Sequence, residues 1–382
     1  MSTAPNPAPV LSYTAPTPTP RRWPEFLGPT IALLVIFFLF TLLVPEWSRS
    51  DFTNFHAFAS QILRFSNFEN VSNILRQSCT TGVAALGVTF IIIAGGIDLS
   101  AGSLAAFAGV VVAAVLRSGP ELGANLHNHP VLIPLLAAAA GIFVGLLGGL
   151  FNGALITSLK IVPFIITLGT MMILRGNAKY LGHETNLPTQ PNWLWAIMAP
   201  LDDNLKWLFF SPAIWITLFL ALSMALILNY ARFGRYVVAI GSNENTARLC
   251  GIPVERTKLI VYTLGGLFVG IAGLFFYYRI TQGSPTSADA FELDVIAAVV
   301  IGGGALSGGK GSILGSLIGA LILNVIARGC AQIHIPLFLQ HSFPSIFSNS
   351  TGLPTYVQQI VTGIIIIVAV LLDKLRQRRN AA

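Results

Sequence analysis

ARFGRYVVAIGSNENTARLCGIPVERTK, Ala231 to Lys258, is a polar stretch between two apolar runs that are each long enough to cross a membrane. Basic residues outnumber acidic ones in it, and an excess of Lys and Arg marks loops that stay on the cytoplasmic side. The stretch is therefore predicted to face the cytoplasm, which fixes the orientation of the spans around it. The charged residues are Arg232, Arg235, Arg248, Arg256 and Lys258 against Glu244 and Glu255.

A short helix is predicted inside this stretch, from Asn243 to Leu249. Ser242 or Asn243 is suited to the N-cap position, and Glu244 in the first turn faces the positive end of the helix dipole. Gly251 follows the predicted end, where glycine commonly terminates a helix. A short capped helix on a cytoplasmic loop is either a docking element or a solvated connector, and the residues alone favour neither.

The composition is that of an integral membrane protein. Hydrophobic residues make up 54% of the 382 residues and charged residues only 10%, whereas soluble domains are about 25% charged. The formal net charge of +7 comes mostly from short loops and the C-terminal end, where positive-inside topology explains it, so no nucleic-acid partner is implied. Cys79, Cys250 and Cys330 suggest neither a disulfide framework nor a metal site and are expected to be small apolar fillers.

Recurring apolar runs predict an all-α, polytopic helical membrane protein of about ten transmembrane segments, including short broken or re-entrant helices. Residues 1–20 are predicted to be a disordered cytoplasmic tail, residues 21–376 the transmembrane domain, and residues 377–382 a second cytoplasmic tail. The runs near Pro163 and Ile296 are the shortest. If only one of them re-enters without crossing, one terminus changes sides.

The segment GGIDLS, residues 95–100, interrupts two apolar runs. Paired glycines favour a broken helix, and Asp98 with Ser100 is typical of the N-cap of the helix that follows. An acid at membrane depth is a candidate functional residue, although a capping role in a tight cytoplasmic turn accounts for it without any ligand and is favoured by the residues alone. Asn152 is a second polar residue in an apolar run, suited to bonding a neighbouring helix or lining a polar path.

Glycines at every fourth position place small residues on one helical face, which lets another helix approach closely. One such ridge is Gly141, Gly145, Gly149 and Gly153, and another is Gly311, Gly315 and Gly319. GALSGGK, residues 304–310, imitates the start of a phosphate-binding loop, but glycine follows where Ser or Thr must reach the metal ion. GGGALSGG also echoes AGGIDLSAG, which hints at an internal repeat.

Four blocks carry a resemblance to a known family. They are GVTFIIIAGGIDLSAGSLAAFAG, NGALITSLKIVPFIITLGTMMILRG, GSNENTARLCGIPVERTKLIVYTLGG and FELDVIAAVVIGGGALSGGKGSILGSLIGA. In this order they resemble the permease subunits of ribose-type sugar importers of the ATP-binding-cassette (ABC) class, over roughly residues 75–372. The resemblance implies a multi-pass protein of the bacterial inner membrane that translocates a monosaccharide delivered by a periplasmic binding protein.

The resemblance also implies which residues act and which partners assist. A partner ATPase binds ATP and Mg²⁺, so this chain is expected to be no enzyme and to hold no cofactor. A second permease chain, identical or related, is expected beside it in the lipid. The implied ATPase-coupling residues in the 231–258 loop are Gly241, Asn243, Glu244, Ala247, Arg248 and Gly251, with Ala247 on the docking face. The proposed substrate pathway comprises Asp98, Ser100, Asn152, Phe164, Thr167 and Thr170.

Two other functions remain open on the residues alone. An ion-coupled secondary carrier, or an exporter of a small polar metabolite, needs intramembrane acids, of which only Asp98 stands out near the core. An intramembrane enzyme would need paired carboxylates, metal-spaced histidines or a nucleophile with a base, and no such set stands out. The sequence names no particular sugar. Copurification of an ATPase would distinguish an importer from a carrier or an enzyme.

Overall fold

The structure is a computed structural model, and it describes residues 26–44, 64–118, 129–200, 208–333, 353, 354, 356–364, 367, 368 and 371. The predicted tails over residues 1–20 and 377–382 lie outside the described residues. Helices make up most of what is described, which confirms the all-α prediction. In chain order they are α1 (Leu27–Leu43), α2 (Phe68–Ile93), α3 (Ala101–Ser118), α4 (Leu132–Leu159), α5 (Pro163–Leu181), α6 (Pro212–Tyr230), α7 (Arg232–Ser242), α8 (Glu244–Leu249), α9 (Val254–Ile280), α10 (Phe291–Ile301) and α11 (Ile313–Gln332).

Five of these helices, α2, α4, α6, α9 and α11, are long and apolar enough to cross a membrane. The shorter helices α1 and α3 are apolar as well. Residues 356–364 are also helical and lie in the last apolar run of the sequence, Tyr356 to Leu372, which is predicted to be the last span. The architecture is therefore the predicted polytopic bundle.

The two shortest apolar runs, near Pro163 and Ile296, differ in structure. α5 is an unbroken helix of 19 residues, about 28 Å long at the usual helical rise. α10 has 11 residues and is about 16 Å long, roughly half of the hydrocarbon core. The segment before α10 contains a short strand, Gln282–Gly283, which pairs antiparallel with Leu187–Pro188. Non-helical chain therefore links α9 to this half-length helix.

The glycine ridge of α4 packs as predicted. A Cβ on Gly145 would lie 2.6 Å from the carbonyl oxygen of Gly266, and one on Gly149 would lie 2.8 Å from the Cα of Gly266. The backbones of α4 and α9 are therefore in direct contact, and any side chain larger than that of glycine at these positions would keep the two helices apart. The Gly315 ridge makes the same kind of contact with α10, where Gly302 lies against it.

The echoed segments end their helices in the same way. After α2, the N–H groups of Ala94, Gly95 and Gly96 donate to Phe90, Ile92 and Ile91. After α10, those of Gly302, Gly303 and Gly304 donate to Ala298, Val300 and Val299, with the same three spacings. The second residue of each set, Gly95 or Gly303, has a positive φ of 79° or 95°, which glycine adopts without strain. The short sequence echo thus corresponds to a repeated local structure.

The segment that imitates a phosphate-binding loop follows helix α10, so it lacks the preceding strand of such a loop. It forms a turn in which Ala305 N–H donates to the carbonyl of Lys310 at 3.1 Å. Cys79 and Cys330 are buried, as expected of apolar fillers, but Cys250 is exposed. The expectation for Cys250 was wrong because the inward face of α8 is occupied by Ala247, which leaves the residue after the helix on the surface.

Candidate functional site

Three of the predicted pathway residues form a hydrogen-bonded chain at the break between α2 and α3. Asp98 is only 1% exposed, and its Oδ1 accepts from the backbone N–H of Ser100 at 2.8 Å and from the Ser100 hydroxyl at 2.6 Å. Nδ2 of Asn152 on α4 donates to Ser100 Oγ at 2.8 Å. Ser100 itself caps α3, because its carbonyl accepts from Leu104 N–H. Asp98 therefore supports the cap from outside the helix.

Two threonines of α5 join this group. The Thr167 hydroxyl donates to the carbonyl of Ile97 in the break at 3.2 Å, and the Thr170 hydroxyl donates to the carbonyl of Thr167 at 3.2 Å. Phe164 is 45% exposed, and its carbonyl accepts from the Thr167 hydroxyl at 3.3 Å. Its place on the pathway stays a prediction.

The predicted short helix is present as α8, with the predicted ends. Of the two candidate caps, Ser242 and Asn243, the structure selects Asn243, whose side chain accepts from Thr246 N–H at 2.9 Å. Gly251 follows the helix with a φ of +79°. The remainder of the polar stretch is not an open loop, because Arg232 to Ser242 forms helix α7.

Ala247 does not lie on the outer face of α8. It is 4% exposed and packs with Ile240 of α7 and Val254 of α9 in a small apolar cluster. A six-residue helix makes fewer than two turns. One side of α8 therefore packs on the protein through Ala247, and the other side faces outward. The expectation that Ala247 contacts the ATPase directly is therefore corrected: Ala247 holds α8 against the rest of the protein.

Charged residues also join α8 to the start of α9. Glu244 accepts from Lys258 Nζ at 2.6 Å and pairs with Arg248 at 3.4 Å, while Arg248 also pairs with Glu255. The hydrogen bond and charge of Glu255 raise the pKa of Arg248 above its ordinary value, so Arg248 stays charged. An isolated exposed salt bridge contributes little to stability, but connected salt bridges hold their side chains in fixed orientations. Glu244 and Arg248 thus position α8 as well as presenting charge.

Leu249 is a candidate docking residue that the sequence analysis did not identify. It is 88% exposed at the last position of α8, next to exposed Cys250. A leucine this exposed on a capped polar segment is a contact candidate, since a few apolar anchors dominate many protein interfaces. Its signal in the sequence was an apolar residue at the end of an otherwise polar helix.

Gly241, in α7, lies against both helix breaks, the one between α2 and α3 and the one between α10 and α11. Gly309 N–H donates to the carbonyl of Ile93 at 2.8 Å, which joins the two breaks. A Cβ on Gly241 would overlap that carbonyl and would lie 2.6 Å from Gly309 N. Gly95 and Gly308 lie at the same junction, where a Cβ on Gly308 would be 3.0 Å from the Gly95 Cα. Movement of α8 can therefore reach the breaks through backbone contact.

Several known proteins that resemble this chain over most of its length are sugar permeases. The chain is 35% identical over 320 residues to the ribose import permease protein RbsC of Escherichia coli, covering 82% of this chain and 88% of that protein. It is 34% identical to RbsC of Bacillus subtilis, covering 91% and 92%. It is 31% identical to the L-arabinose transport system permease protein AraH of Escherichia coli, covering 94% and 93%.

A family-level comparison agrees with these pairwise similarities. It matches residues 70–370 to the family described as branched-chain amino acid transport system / permease component. That match takes in every helix from α2 to α11 except the first two residues of α2, and it includes both helix breaks and α8. The chain therefore belongs to this family of transport permease components.

Proposed function

We propose that this protein is the membrane-spanning permease subunit of an ABC importer that carries a monosaccharide. The similarity to ribose and L-arabinose permeases over most of both chains carries this proposal. The family description refers to branched-chain amino acids, but the pathway group favours a sugar. Asp98 would repel the carboxylate of an amino acid, whereas Asp98, Ser100 and Asn152 offer groups that bind hydroxyls.

The sugar passes the group formed by Asp98, Ser100, Asn152, Thr167 and Thr170. All five are buried, and they surround a stretch of non-helical backbone. In a membrane such backbone is tolerated only when it is buried in protein or lines a cavity. A permease that receives its substrate from a separate binding protein does not need to hold it tightly, so a few weak polar contacts suffice.

Energy reaches this group through α8. A partner ATPase, which binds the ATP and Mg²⁺, docks on the outer face of α8, and this chain itself contributes no cofactor. Gly241 then transmits the movement of α8 to the two breaks, because its backbone lies against Ile93 and Gly309. Asn243 and Gly251 keep the ends of the docking helix fixed.

The orientation of the chain in the membrane determines the side on which each partner lies. The non-helical segment before α10 runs along α3, from Gly283 beside Val110 to Ala288 beside Gly102, so this segment and α10 together count as one crossing. With the 231–258 stretch and both termini then in the cytoplasm, the binding protein approaches from the periplasm and the chain lies in the inner membrane. Two permease chains, identical or related, form the transport unit. The orientation is supported by the Lys and Arg distribution.

Reconstitution with the neighbouring ATPase and binding protein tests the proposal. The complex should copurify and should take up a pentose or hexose only when ATP is supplied on the α8 side. Asn152→Ala and Thr167→Ala, alone and combined, should slow uptake while the ATPase still copurifies. Uptake driven by an ion gradient without the ATPase would instead indicate a secondary carrier, and normal uptake in the double variant would remove these residues from the pathway.

A further inference from the structure

Two helices begin close together inside the protein. Gly102, in the first turn of α3, lies against the segment that leads into α10: a Cβ on Gly102 would be 2.7 Å from the carbonyl oxygen of Ala288 and would overlap the carboxylate of Glu292. Glu292 is in the first turn of α10. The N-terminal ends of α3 and α10 therefore meet.

This meeting point is near the middle of the membrane. The 27-residue helix α9 is about 40 Å long, enough to cross the whole hydrocarbon core. Gly149 of α4 packs on Gly266, which is close to the centre of α9. The adjacent Gly148 packs on the side chain of Leu104, two residues after Gly102. α3 and α10 thus both start at mid-depth, although α3 has 18 residues and only α10 is half-length. Helices broken inside the membrane surround substrate sites in other transporters.

Four side chains at this point each have a buried oxygen with no hydrogen-bond partner in the part of the chain that the structure describes. We call them the midplane cluster: Asp98 with Oδ2, Asn152 with Oδ1, Tyr262 with its hydroxyl and Glu292 with Oε2. Asp98, Asn152 and Tyr262 are at most 2% exposed. The Tyr262 hydroxyl lies against Gly96, two residues before Asp98, and the Glu292 carboxylate lies against Gly102 in the first turn of α3.

Unpaired oxygens in such a place are unfavourable in a closed protein. A buried polar group without a hydrogen-bond partner destabilises the fold, and a charged group destabilises it by more. Apolar side chains would pack between these helices without that penalty, so a protein that keeps four such groups together satisfies them in another state. In that state a polar ligand or water enters between α3, α4, α9 and α10.

The helix ends decide which ligand fits. The N-terminus of each helix carries about half a positive charge, so the two together offset about half of the negative charge of Asp98 and Glu292 and reduce the attraction for a metal cation. A neutral polyhydroxyl molecule fits better, because each hydroxyl both donates and accepts. It can donate to the two carboxylates and the Asn152 oxygen and accept from the Tyr262 hydroxyl.

We propose that the midplane cluster is a transient binding site for the passing sugar, and that Glu292 and Tyr262 determine which sugars pass. This inference rests on the proposed sugar-import function and adds a site to it. Glu292 accepts a hydrogen bond from a particular hydroxyl of the sugar, while Tyr262 donates to another. The permease then contributes its own selection after the binding protein has made the first.

The test uses the reconstituted complex of permease, ATPase and binding protein with D-ribose, L-arabinose and D-xylose. Monodeoxy analogues of the best of these sugars are included, all at concentrations that saturate the binding protein. Glu292→Gln is compared with Asp294→Asn, since Asp294 lies in the same first turn of α10 and is not among the buried unpartnered groups. Glu292→Gln should lower uptake of the parent sugar roughly tenfold or more, as loss of a hydrogen bond to a charged group does.

Discrimination between parent and analogue is the decisive measurement. The wild-type protein should disfavour an analogue that lacks one particular hydroxyl, and Glu292→Gln should lose that preference while Asp294→Asn keeps it. An equal decrease for every sugar and analogue would show a structural role and overturn the inference. So would an effect of Glu292→Gln that disappears when Na⁺ and proton gradients are collapsed, because the cluster would then be a cation site.

Two further arms keep the outcomes separate. If Glu292→Gln does not assemble with its ATPase, Glu292→Asp is measured in the same way: altered discrimination supports the site, and unchanged discrimination overturns it. If the wild-type complex takes up none of the sugars, the proposed import function fails. Uptake that is normal and equally selective in the wild type and Glu292→Gln refutes the midplane site alone.

Discussion

Single glycines determine how closely the helices pack. Gly145 allows direct backbone contact between α4 and α9, whereas Gly169 and Gly176 on α5 have no described atom within 4 Å of an added Cβ. The same residue type therefore has opposite consequences on different helices. In α4 it is required by a close approach, and in α5 it leaves the outer surface open.

We expect Gly145→Ala to destabilise the protein and Gly169→Ala to be tolerated. An added methyl group on Gly145 meets the backbone of Gly266 at 2.6 Å, and such overpacking destabilises by about 1–3 kcal/mol. On α5 the same change replaces a poor helix former and stabilises by up to about 1 kcal/mol. Thermal unfolding of the detergent-purified variants measures both. Equal stability of the two variants would contradict the α4–α9 contact.

At the scale of elements, α8 is held on one face and exposed on the other. Ala247 packs inward on Ile240 and Val254, and the pairs of Glu244 and Arg248 fasten the helix to α9. Leu249 is left exposed at its end. A substitution at Ala247 therefore disturbs the seating of the helix, while one at Leu249 changes only its free surface.

Leu249→Ser should weaken binding of the ATPase and reduce coupled uptake while the permease stays folded. Burial of a leucine side chain contributes about 1.5–3 kcal/mol, so affinity should fall roughly tenfold or more. Titration of the ATPase against detergent-purified permease measures this. Tyr230→Ser is the control, because Tyr230 is a comparably exposed large side chain that ends α6 just before α7. A similar loss in both variants would argue against docking through Leu249.

At the scale of the whole molecule, the chain carries its own reporter of orientation. Of its three cysteines, only Cys250 is exposed, and it directly follows α8. Cys79 and Cys330 are buried. The side of the membrane from which Cys250 reacts is therefore the side on which α8 lies.

A membrane-impermeant maleimide should label Cys250 in inside-out vesicles and not in intact cells or right-side-out vesicles. Burial should leave Cys79 and Cys330 unlabelled until the protein is denatured, and Cys250→Ser should remove the native signal. Added ATPase should slow the labelling, since Leu249 is the adjacent residue. Labelling from the outside would place α8 in the periplasm and reverse the proposed topology.

Local chemistry explains what could be predicted for the site. Asn243 and Gly251 define the ends of α8, and Gly95 ends α2, through contacts within five residues along the chain. Spacing of four residues likewise placed the glycines of α4 on one face. The grouping of Asp98 with Asn152 was expected from polarity at membrane depth, and the structure gives it as hydrogen bonds through Ser100.

The sequence by itself determined an apolar, polytopic helical protein, its helix ends and the small faces on which its helices pack, because composition, capping and periodicity act over a few residues. Only the tertiary structure decided that Ala247 faces inward and that Glu292 meets the start of α3. Those placements depend on which helix lies opposite. Contacts between residues far apart in the chain set that arrangement, and no local pattern records them.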